Sequence, residues 1–227
     1  MKIGILQTGH APDALRPETG DYADLFKRLL GDHDFQFEVH DVVDMQFPED
    51  VHAADGWLLT GSKHGAYEDH PFIAPLETFI RDAYAAAVPM VGICFGHQII
   101  AQALGGRVEK FAGGWAVGRQ TYDWQGQTIA LNAWHQDQVT ARPDGARVVA
   151  TNDFCENAAL VYGDRILTVQ AHPEFDNDFT RQLGDARGEG VVPDAILAAA
   201  RATQYEPIDN RSIADQMARF FKTRSLT

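Results

Sequence analysis

Cys94 stands in the segment GICFG, where its neighbours favour nucleophilic chemistry. The apolar run 91–93 before it is typical of a buried strand, and the helix-forming segment GHQIIAQAL follows almost at once. A sharp turn from strand to helix strains its central residue, and Gly92 and Gly96 lack the side chains that would clash there. The turn also presents the thiol at the start of a helix, where the helix dipole favours the thiolate. A lone cysteine beside a glycine is more often a core residue, so the prediction of a nucleophile needs a base.

The segment TVQAHPEF supplies that base. Another apolar run ends here in His172, Pro173 and Glu174. Side chains two residues apart in an extended chain project to the same side, so Glu174 can accept the Nδ1 proton of His172 and leave Nε2 for a thiol. Pro173 has no N–H and marks the end of a sheet ladder, which predicts both side chains at the rim of the sheet. By itself this would be a strand exit; with the cysteine turn it predicts a Cys94, His172 and Glu174 triad.

The elements that must position these residues are short apolar runs flanked by Gly, Asp, Asn or Pro. The predicted strands are KIGILQT, FQFEVH, GWLLT, PMVGIC, RVVAT, AALVY and ILTVQA. In the first half of the chain, apolar residues at helical spacing predict helices over 20–30 and 72–87, between these strands. This alternation predicts an α/β fold, a three-layer sandwich with a mostly parallel central sheet and helices on both faces.

The second half of the chain has a different pattern. From residue 107 onward, short strands follow one another across the turn-like segments DWQGQ and RPDGAR, which predicts a small antiparallel section. Helices are predicted over 195–202 and 213–221, joined by a stretch that contains Gly and Pro. We find no linker and no repeat, and expect residues 1–227 to form one domain with C-terminal helices from residue 176 onward.

Composition and charge exclude several classes of function. Of the 227 residues, 45% are hydrophobic and 22% charged, as in a globular protein. The 19 Lys and Arg against 32 Asp and Glu give a net charge of −13, which argues against nucleic-acid and anionic-membrane partners and favours a small-molecule substrate or a protein. No apolar stretch approaches the roughly 20 residues that span a bilayer, and the N-terminus lacks signal-peptide features. We therefore expect a cytoplasmic protein.

The remaining cysteine and histidines give no sign of a metal site. Cys155, in DFCENA, lacks flanking glycines and a paired base, so we interpret it as structural. His97 is expected to pack or cap. The other histidines occur singly in loop-like contexts and do not suggest a metal site: His10, His33, His40, His52, His64 and His70. We predict neither a metal nor a cofactor.

Around Cys94 and His172 the chain resembles the class I, or triad, glutamine amidotransferases. The hallmark of that family is G-x-C-x-G-x-Q with a later H-P-E. Here the motifs read GICFGHQ and HPE, and the resemblance covers roughly residues 1–175. The segments GDYADLF, LLTGSKHGAYED, WHQDQV and VQAHPEF are similar to the glutaminase domain of GMP synthase and to stand-alone relatives such as the γ-glutamyl peptidases. The resemblance implies a flavodoxin-like fold. Ala171 and Ala116 depart from the pattern, since relatives commonly carry an aromatic residue and a glutamate there.

The resemblance implies a role for each matching residue. Cys94 would attack the side-chain carbonyl of a γ-glutamyl group, and His172, oriented by Glu174, would pass the thiol proton to the leaving group. The backbone N–H groups of Gly61 and Phe95 would form the oxyanion hole. The residues that would contact the substrate are Ser62, Gln98, His135 and Gln136.

Three functions stay open. The chain has no G-x-x-x-x-G-K-[ST] phosphate loop and leaves no residues for a synthetase domain. It could be a free-standing amidohydrolase, including a γ-glutamyl peptidase, or a glutaminase subunit with a separate synthetase subunit as partner. The third function is a binding or regulatory module without turnover, which the intact triad disfavours. The DJ-1/PfpI-type proteins also use an elbow cysteine, but they typically place histidine directly after it, where this chain has Phe95.

Overall fold

The structure is a computed structural model that describes residues 1–226. Its strands are β1 (Lys2–Leu6), β2 (Gln36–His40), β3 (Gly56–Leu59), β4 (Met90–Ile93), β5 (Arg107–Lys110), β6 (Ala116–Trp124), β7 (Gln127–His135), β8 (Asp137–Ala141), β9 (Ala146–Thr151), β10 (Ala159–Tyr162) and β11 (Ile166–Val169). Its helices are α1 (Arg16–Thr19), α2 (Tyr22–Leu29), α3 (Ile73–Ala85), α4 (Phe95–Ala103), α5 (Asn177–Arg187), α6 (Asp194–Ala202) and α7 (Asn210–Thr223).

The central sheet has nine strands in the order β2-β1-β3-β4-β11-β10-β9-β6-β7. The strands from β2 to β11 in this order run parallel, and those from β11 to β7 pair antiparallel. Strands β5 and β8 form a separate antiparallel pair. The predicted α/β fold with a parallel first half and an antiparallel section is confirmed, and the antiparallel section is part of the main sheet as well as a small second one.

Helices cover both faces of the sheet, as the alternation of elements predicts. On one face, Phe26 of α2 and Met217 of α7 belong to a buried cluster with the sheet residue Ile5. On the other face, Ile80 of α3 and Ile100 of α4 belong to a second buried cluster. Within residues 1–226, no helix combines the length and apolar character needed to cross a membrane.

The sequence prediction missed α1, and it expected C-terminal helices from residue 176 onward without giving α5 bounds of its own. Helix α5 buries only Phe179, Thr180 and Leu183, so its apolar residues are too few for a clear helical period. Its start carries a signal that could have revealed it, because the Asp176 side chain accepts a hydrogen bond from the Phe179 N–H at 2.7 Å. This helix matters for the site, since it forms one wall of the main cavity.

Candidate active site

Cys94 lies between the end of β4 and the start of α4, as the sequence predicts. Its backbone has φ 53° and ψ −102°, a conformation that residues other than glycine rarely adopt. A Cβ on Gly92 would lie 2.6 Å from the Gly96 carbonyl oxygen, and one on Gly96 would lie 2.5 Å from the Leu59 carbonyl oxygen. Only glycine fits on either side, so the strained turn from strand to helix is confirmed.

His172 and Glu174 follow β11, the strand next to β4. These two strands run parallel with Val169 opposite Ile93, and the Cys94 N–H donates to the Val169 carbonyl at 2.8 Å. The Cys94 and His172 side chains lie close enough to interact electrostatically. His172 Nδ1 lies 2.7 Å from Glu174 Oε1, and both side chains are buried. The structure thus brings the three predicted residues together at the carboxyl edge of the sheet.

The electrostatics of this group favour a protonated imidazole. Burial by itself lowers the pKa of His172, but the negative charges of Glu174 and Cys94 outweigh burial and raise this pKa to about 10. An imidazolium in contact with sulfur stabilises the thiolate, which is the nucleophilic form of cysteine. A base of this strength beside the sulfur can take the thiol proton.

Two residues that the sequence analysis did not single out hold the imidazole in place. The Phe175 ring stacks on the His172 ring, with centroids 3.9 Å apart and planes 4° from parallel. On β7, the Asn132 carbonyl accepts from the His172 N–H at 2.8 Å, and the Asn132 amide donates to the Phe175 carbonyl at 3.1 Å. Phe175 directly follows H-P-E in the sequence, so the motif could have pointed to it. No sequence signal points to Asn132, because its contact depends on strand order.

The loop after β3 brings Gly61 against this group. A Cβ on Gly61 would lie 2.9 Å from His172 Cε1 and 3.8 Å from Cys94 Cβ, so the position has no room for a side chain. Phe95 is the first residue of α4, and its N–H has no partner within the helix. Both predicted oxyanion-hole residues therefore adjoin Cys94, one in space and one in sequence.

Two threonines fix the peptide plane of this loop. The hydroxyl oxygens of Thr8 and Thr60 each lie 3.1 Å from the Gly61 carbonyl oxygen. The Thr60 carbonyl in turn accepts from the Gly96 N–H at 3.1 Å, which joins the loop to the cysteine turn. The Gly61 carbonyl is thus tied to the interior of the protein.

A cavity of about 520 Å³ opens in front of Cys94, which is within the usual size of small-molecule sites. All four residues predicted to contact substrate line it: Ser62, Gln98, His135 and Gln136. The Gln98 amide nitrogen also donates to the Asp137 carbonyl at 2.9 Å, so this side chain helps to hold β8 beside the cavity. Ala116 and Ala171 are buried and do not belong to the lining.

Two histidines of this region, His135 in the cavity lining and His97 on α4, are uncharged. Burial, and next the proximity of His172, lower the pKa of His135 to about 3. Burial likewise lowers the pKa of His97 to about 3, and its Nδ1 lies 2.8 Å from Thr168 Oγ1. His97 therefore packs inside the protein, as predicted.

The rim of the cavity contains polar residues that the sequence analysis did not identify. They come from α2, the loop after β3, β5, β8 and α5: Tyr22, Tyr67, Lys110, Asp137 and Arg187. These five positions share no motif, and only the path of the chain brings them to one opening. The structure also corrects the expectation that the loop histidines stand alone, because the rings of His64 and His70 are 4.0 Å apart.

Known proteins resemble this chain in sequence. The family model described as glutamine amidotransferase class-I matches residues 24–182. Gamma-glutamyl peptidase 4 of Arabidopsis thaliana is 29% identical over 222 residues, which are 90% of this chain and 88% of that protein. The glutamine-hydrolyzing GMP synthase of Staphylococcus aureus (strain Newman) is 26% identical over 196 residues, which cover 79% of this chain but 34% of that protein.

Solved structures show the same fold at lower identity. A glutamine amidotransferase from Methylobacillus flagellatus superposes with a TM-score of 0.70 at 22% identity, covering 99% of this chain and 92% of its own. Another, from Thermotoga maritima, superposes with a TM-score of 0.69 at 21% identity, covering 99% and 98%. The arrangement of sheet and helices is therefore shared over nearly the whole chain.

Proposed function

This chain belongs to the class I glutamine amidotransferase family, and we propose that it hydrolyses the γ-glutamyl amide bond of glutamine or of a γ-glutamyl compound through a thioester on Cys94. The observation that carries the proposal is the proximity of Cys94 and His172 at the carboxyl edge of the sheet, with Glu174 Oε1 2.7 Å from His172 Nδ1. This is the arrangement of nucleophile, base and orienting carboxylate that nucleophilic catalysis requires.

The reaction proceeds in two halves. The Cys94 thiol passes its proton to His172, the sulfur attacks the γ-carbonyl carbon, and a C–S bond forms while a carbonyl electron pair moves onto oxygen. His172 then donates its proton to the leaving nitrogen, the C–N bond breaks, and ammonia or an amine departs. A water molecule, deprotonated by His172, attacks the thioester, and the C–S bond breaks to release glutamate. Glu174 accepts a hydrogen bond from Nδ1 throughout and stabilises the imidazolium.

The tetrahedral intermediate needs donors for its oxyanion. We assign this role to the N–H groups of Gly61 and Phe95, on opposite sides of Cys94. Each such donor contributes about 3 kcal/mol of transition-state stabilisation in a water-excluded site. The assignment rests on the tight approach of Gly61 to His172 and on the free first N–H of α4.

The cavity favours a small γ-glutamyl substrate held by polar groups. Ser62, Gln98, His135 and Gln136 line it beside the sulfur, and we assign them contacts with the amino-acid end of the substrate. Two γ-glutamyl peptidases of Arabidopsis thaliana match this chain over 88% and 92% of their own lengths. Relatives that match along nearly their full length favour a free-standing hydrolase.

A second candidate function is the glutaminase subunit of a two-protein amidotransferase. The observation in its favour is the match to GMP synthase, which covers 34% of that longer protein. In this case a separate synthetase subunit would receive the ammonia. Turnover would then depend on the partner.

A release assay separates these functions. Purified protein is incubated with glutamine, a γ-glutamyl dipeptide and a γ-glutamyl amine, and ammonia, amine and glutamate are measured, with Cys94→Ser as the control. Steady release without a partner supports the free-standing hydrolase, and a preference for the dipeptide makes it a peptidase. Ammonia from glutamine only when a synthetase is added supports the second candidate. Equal release by wild type and Cys94→Ser would refute the thioester mechanism.

A further inference from the structure

The loop between β3 and α3 gathers three metal-ligating side chains at the rim of the cavity: His64, Glu68 and His70. Each offers one ligand atom, and these atoms all lie within 4.8 Å of one another. Two of them, on His64 and Glu68, belong to residues that line the cavity. The proposed hydrolysis uses none of the three side chains.

Aromatic packing and a tight turn hold this cluster in shape. Phe72 is buried, and the rings of His70 and His64 lie 6.0 Å and 5.9 Å from its ring, the first of them stacked at 19°. The Glu68 N–H donates to the Gly65 carbonyl at 3.0 Å, which closes the turn between the first two ligands. The side chains therefore start from a defined arrangement, which reduces the entropy lost on binding an ion.

The ligand atoms converge on one carboxylate oxygen. His64 Nδ1 lies 3.8 Å from Glu68 Oε2. His70 Nε2 lies 2.8 Å from Glu68 Oε2, so a proton occupies the space between two atoms that could both bind a cation.

The charges around the cluster are of both signs. Lys63 and Arg187 are the cations that act on His64. Asp137 is the second carboxylate nearby, since a Cβ on Gly65 would lie 3.2 Å from Asp137 Oδ2 and 3.3 Å from Glu68 Cγ. A divalent cation would relieve the repulsion between these two carboxylates.

We propose that His64, Glu68 and His70 form a binding site for a divalent ion of the zinc class. Two imidazoles and one carboxylate, with water in the fourth position, are a known ligand set for Zn²⁺. Zinc bonds of about 2.0–2.1 Å to nitrogen place tetrahedral donors roughly 3.4 Å apart, so around the ion His64 must move closer to Glu68 and His70 slightly away from it. Imidazole ligands disfavour Mg²⁺ and Ca²⁺, which take oxygen ligands. The ion would clamp the loop that begins at Gly61.

The experiment measures binding directly, without hydrolysis. Untagged Cys94→Ala protein removes the reactive thiol as a competing ligand, and ZnCl₂ is titrated by calorimetry, with MgCl₂ as a negative control. CoCl₂ gives a second readout, because tetrahedral Co²⁺ absorbs visible light. His70→Ala and Glu68→Gln are introduced in this background, and His52→Ala is the matched control because His52 is exposed and outside the cluster.

We expect one Zn²⁺ per chain in the Cys94→Ala and His52→Ala proteins. Loss of a residue that only hydrogen-bonds to a metal ligand already weakens metal binding about 10–100-fold, so loss of a ligand in His70→Ala or Glu68→Gln should weaken it by at least roughly tenfold. His70 does not line the cavity, so its variant isolates the metal from the substrate site. Absence of stoichiometric binding, or equal binding in all four proteins, would overturn the proposal and leave an ordinary ion pair; neither result bears on the hydrolase mechanism.

Discussion

The β4–α4 turn and the β9–β10 turn each carry one of the two cysteines of this chain, and both thiols are buried and unpaired. Cys94 is 5% exposed and Cys155 is 2% exposed, so burial hardly distinguishes them. The groups that surround each thiol do distinguish the two cysteines. Cys94 interacts electrostatically with His172, whereas burial raises the pKa of the Cys155 thiol to about 12.

The backbone conformation also distinguishes the two cysteines. Cys94 has a positive φ between two glycines that admit no side chain. Cys155 lies in a relaxed turn, in which its N–H donates to Asn152 Oδ1 at 2.7 Å and its carbonyl accepts from the Asn152 N–H at 3.1 Å. Reactivity therefore follows from a strained turn and a charged neighbour, and cannot be read from exposure alone.

Removing the two thiols one at a time is the most direct test of whether the two cysteines differ in function. We expect Cys94→Ala to lower kcat/KM for a γ-glutamyl substrate by at least roughly 10³-fold, because no other group can form the thioester. Cys155→Ala should leave kcat/KM unchanged. Activity retained in Cys94→Ala, with the fold verified by circular dichroism, would contradict the assignment.

Removing the charge behind the base tests why the two thiols differ. We expect Glu174→Gln to lower kcat by about 10²–10⁴-fold, because the His172 imidazolium loses its carboxylate partner. Substrate binding should change little, since Glu174 does not line the cavity. Steady-state kinetics separate kcat from KM, and a change confined to KM would argue against this role.

The same variant changes the pH dependence of stability. The folded-state pKa of His172, about 10, lies above its ordinary value of 6.5. Protonated His172 therefore stabilises the fold fully below pH 6.5, and this contribution is lost as the pH rises towards 10. Between these pH values the free energy of unfolding should fall more steeply in wild type than in Glu174→Gln, as measured by urea titration; equal slopes would contradict the shift.

The crowding of the cysteine turn is tested at Gly96. A Cβ there would meet the Leu59 carbonyl oxygen at 2.5 Å, so we expect Gly96→Ala to lower the free energy of unfolding by about 1–3 kcal/mol. Gly31→Ala is the matched control, since a Cβ on Gly31 would have no atom within 4 Å. Urea denaturation compares the two variants. Equal stabilities would mean that the turn is not tightly packed.

The smallest effect is expected at the second cysteine. Cys155→Ala removes one buried sulfur and should lower the free energy of unfolding by about 1 kcal/mol. In wild type, iodoacetamide should modify Cys94 alone until denaturant exposes Cys155. Mass spectrometry of the labelled peptides checks this order, and rapid native labelling of Cys155 would contradict its structural role.

The parts of the fold that local sequence signals predict are those with a strong period of their own. All seven predicted strands are present, and α3 follows its apolar spacing closely. Helix α5 received no bounds of its own because few of its residues are apolar and only three are buried. Its N-cap at Asp176 is a weaker signal than a hydrophobic period.

The candidate site likewise contains some residues that local sequence signals predict and others that they do not. Cys94 between glycines, and His172 two residues before Glu174, are local arrangements whose geometry follows from the turn and from the strand period, so the sequence alone was sufficient to determine them. What brings Asn132 to His172, or His64 to His70, is the order of strands and the path of one loop. Those contacts join positions with no shared period, and only the packing of the whole chain decides them, because contacts between distant positions depend on every element that lies between.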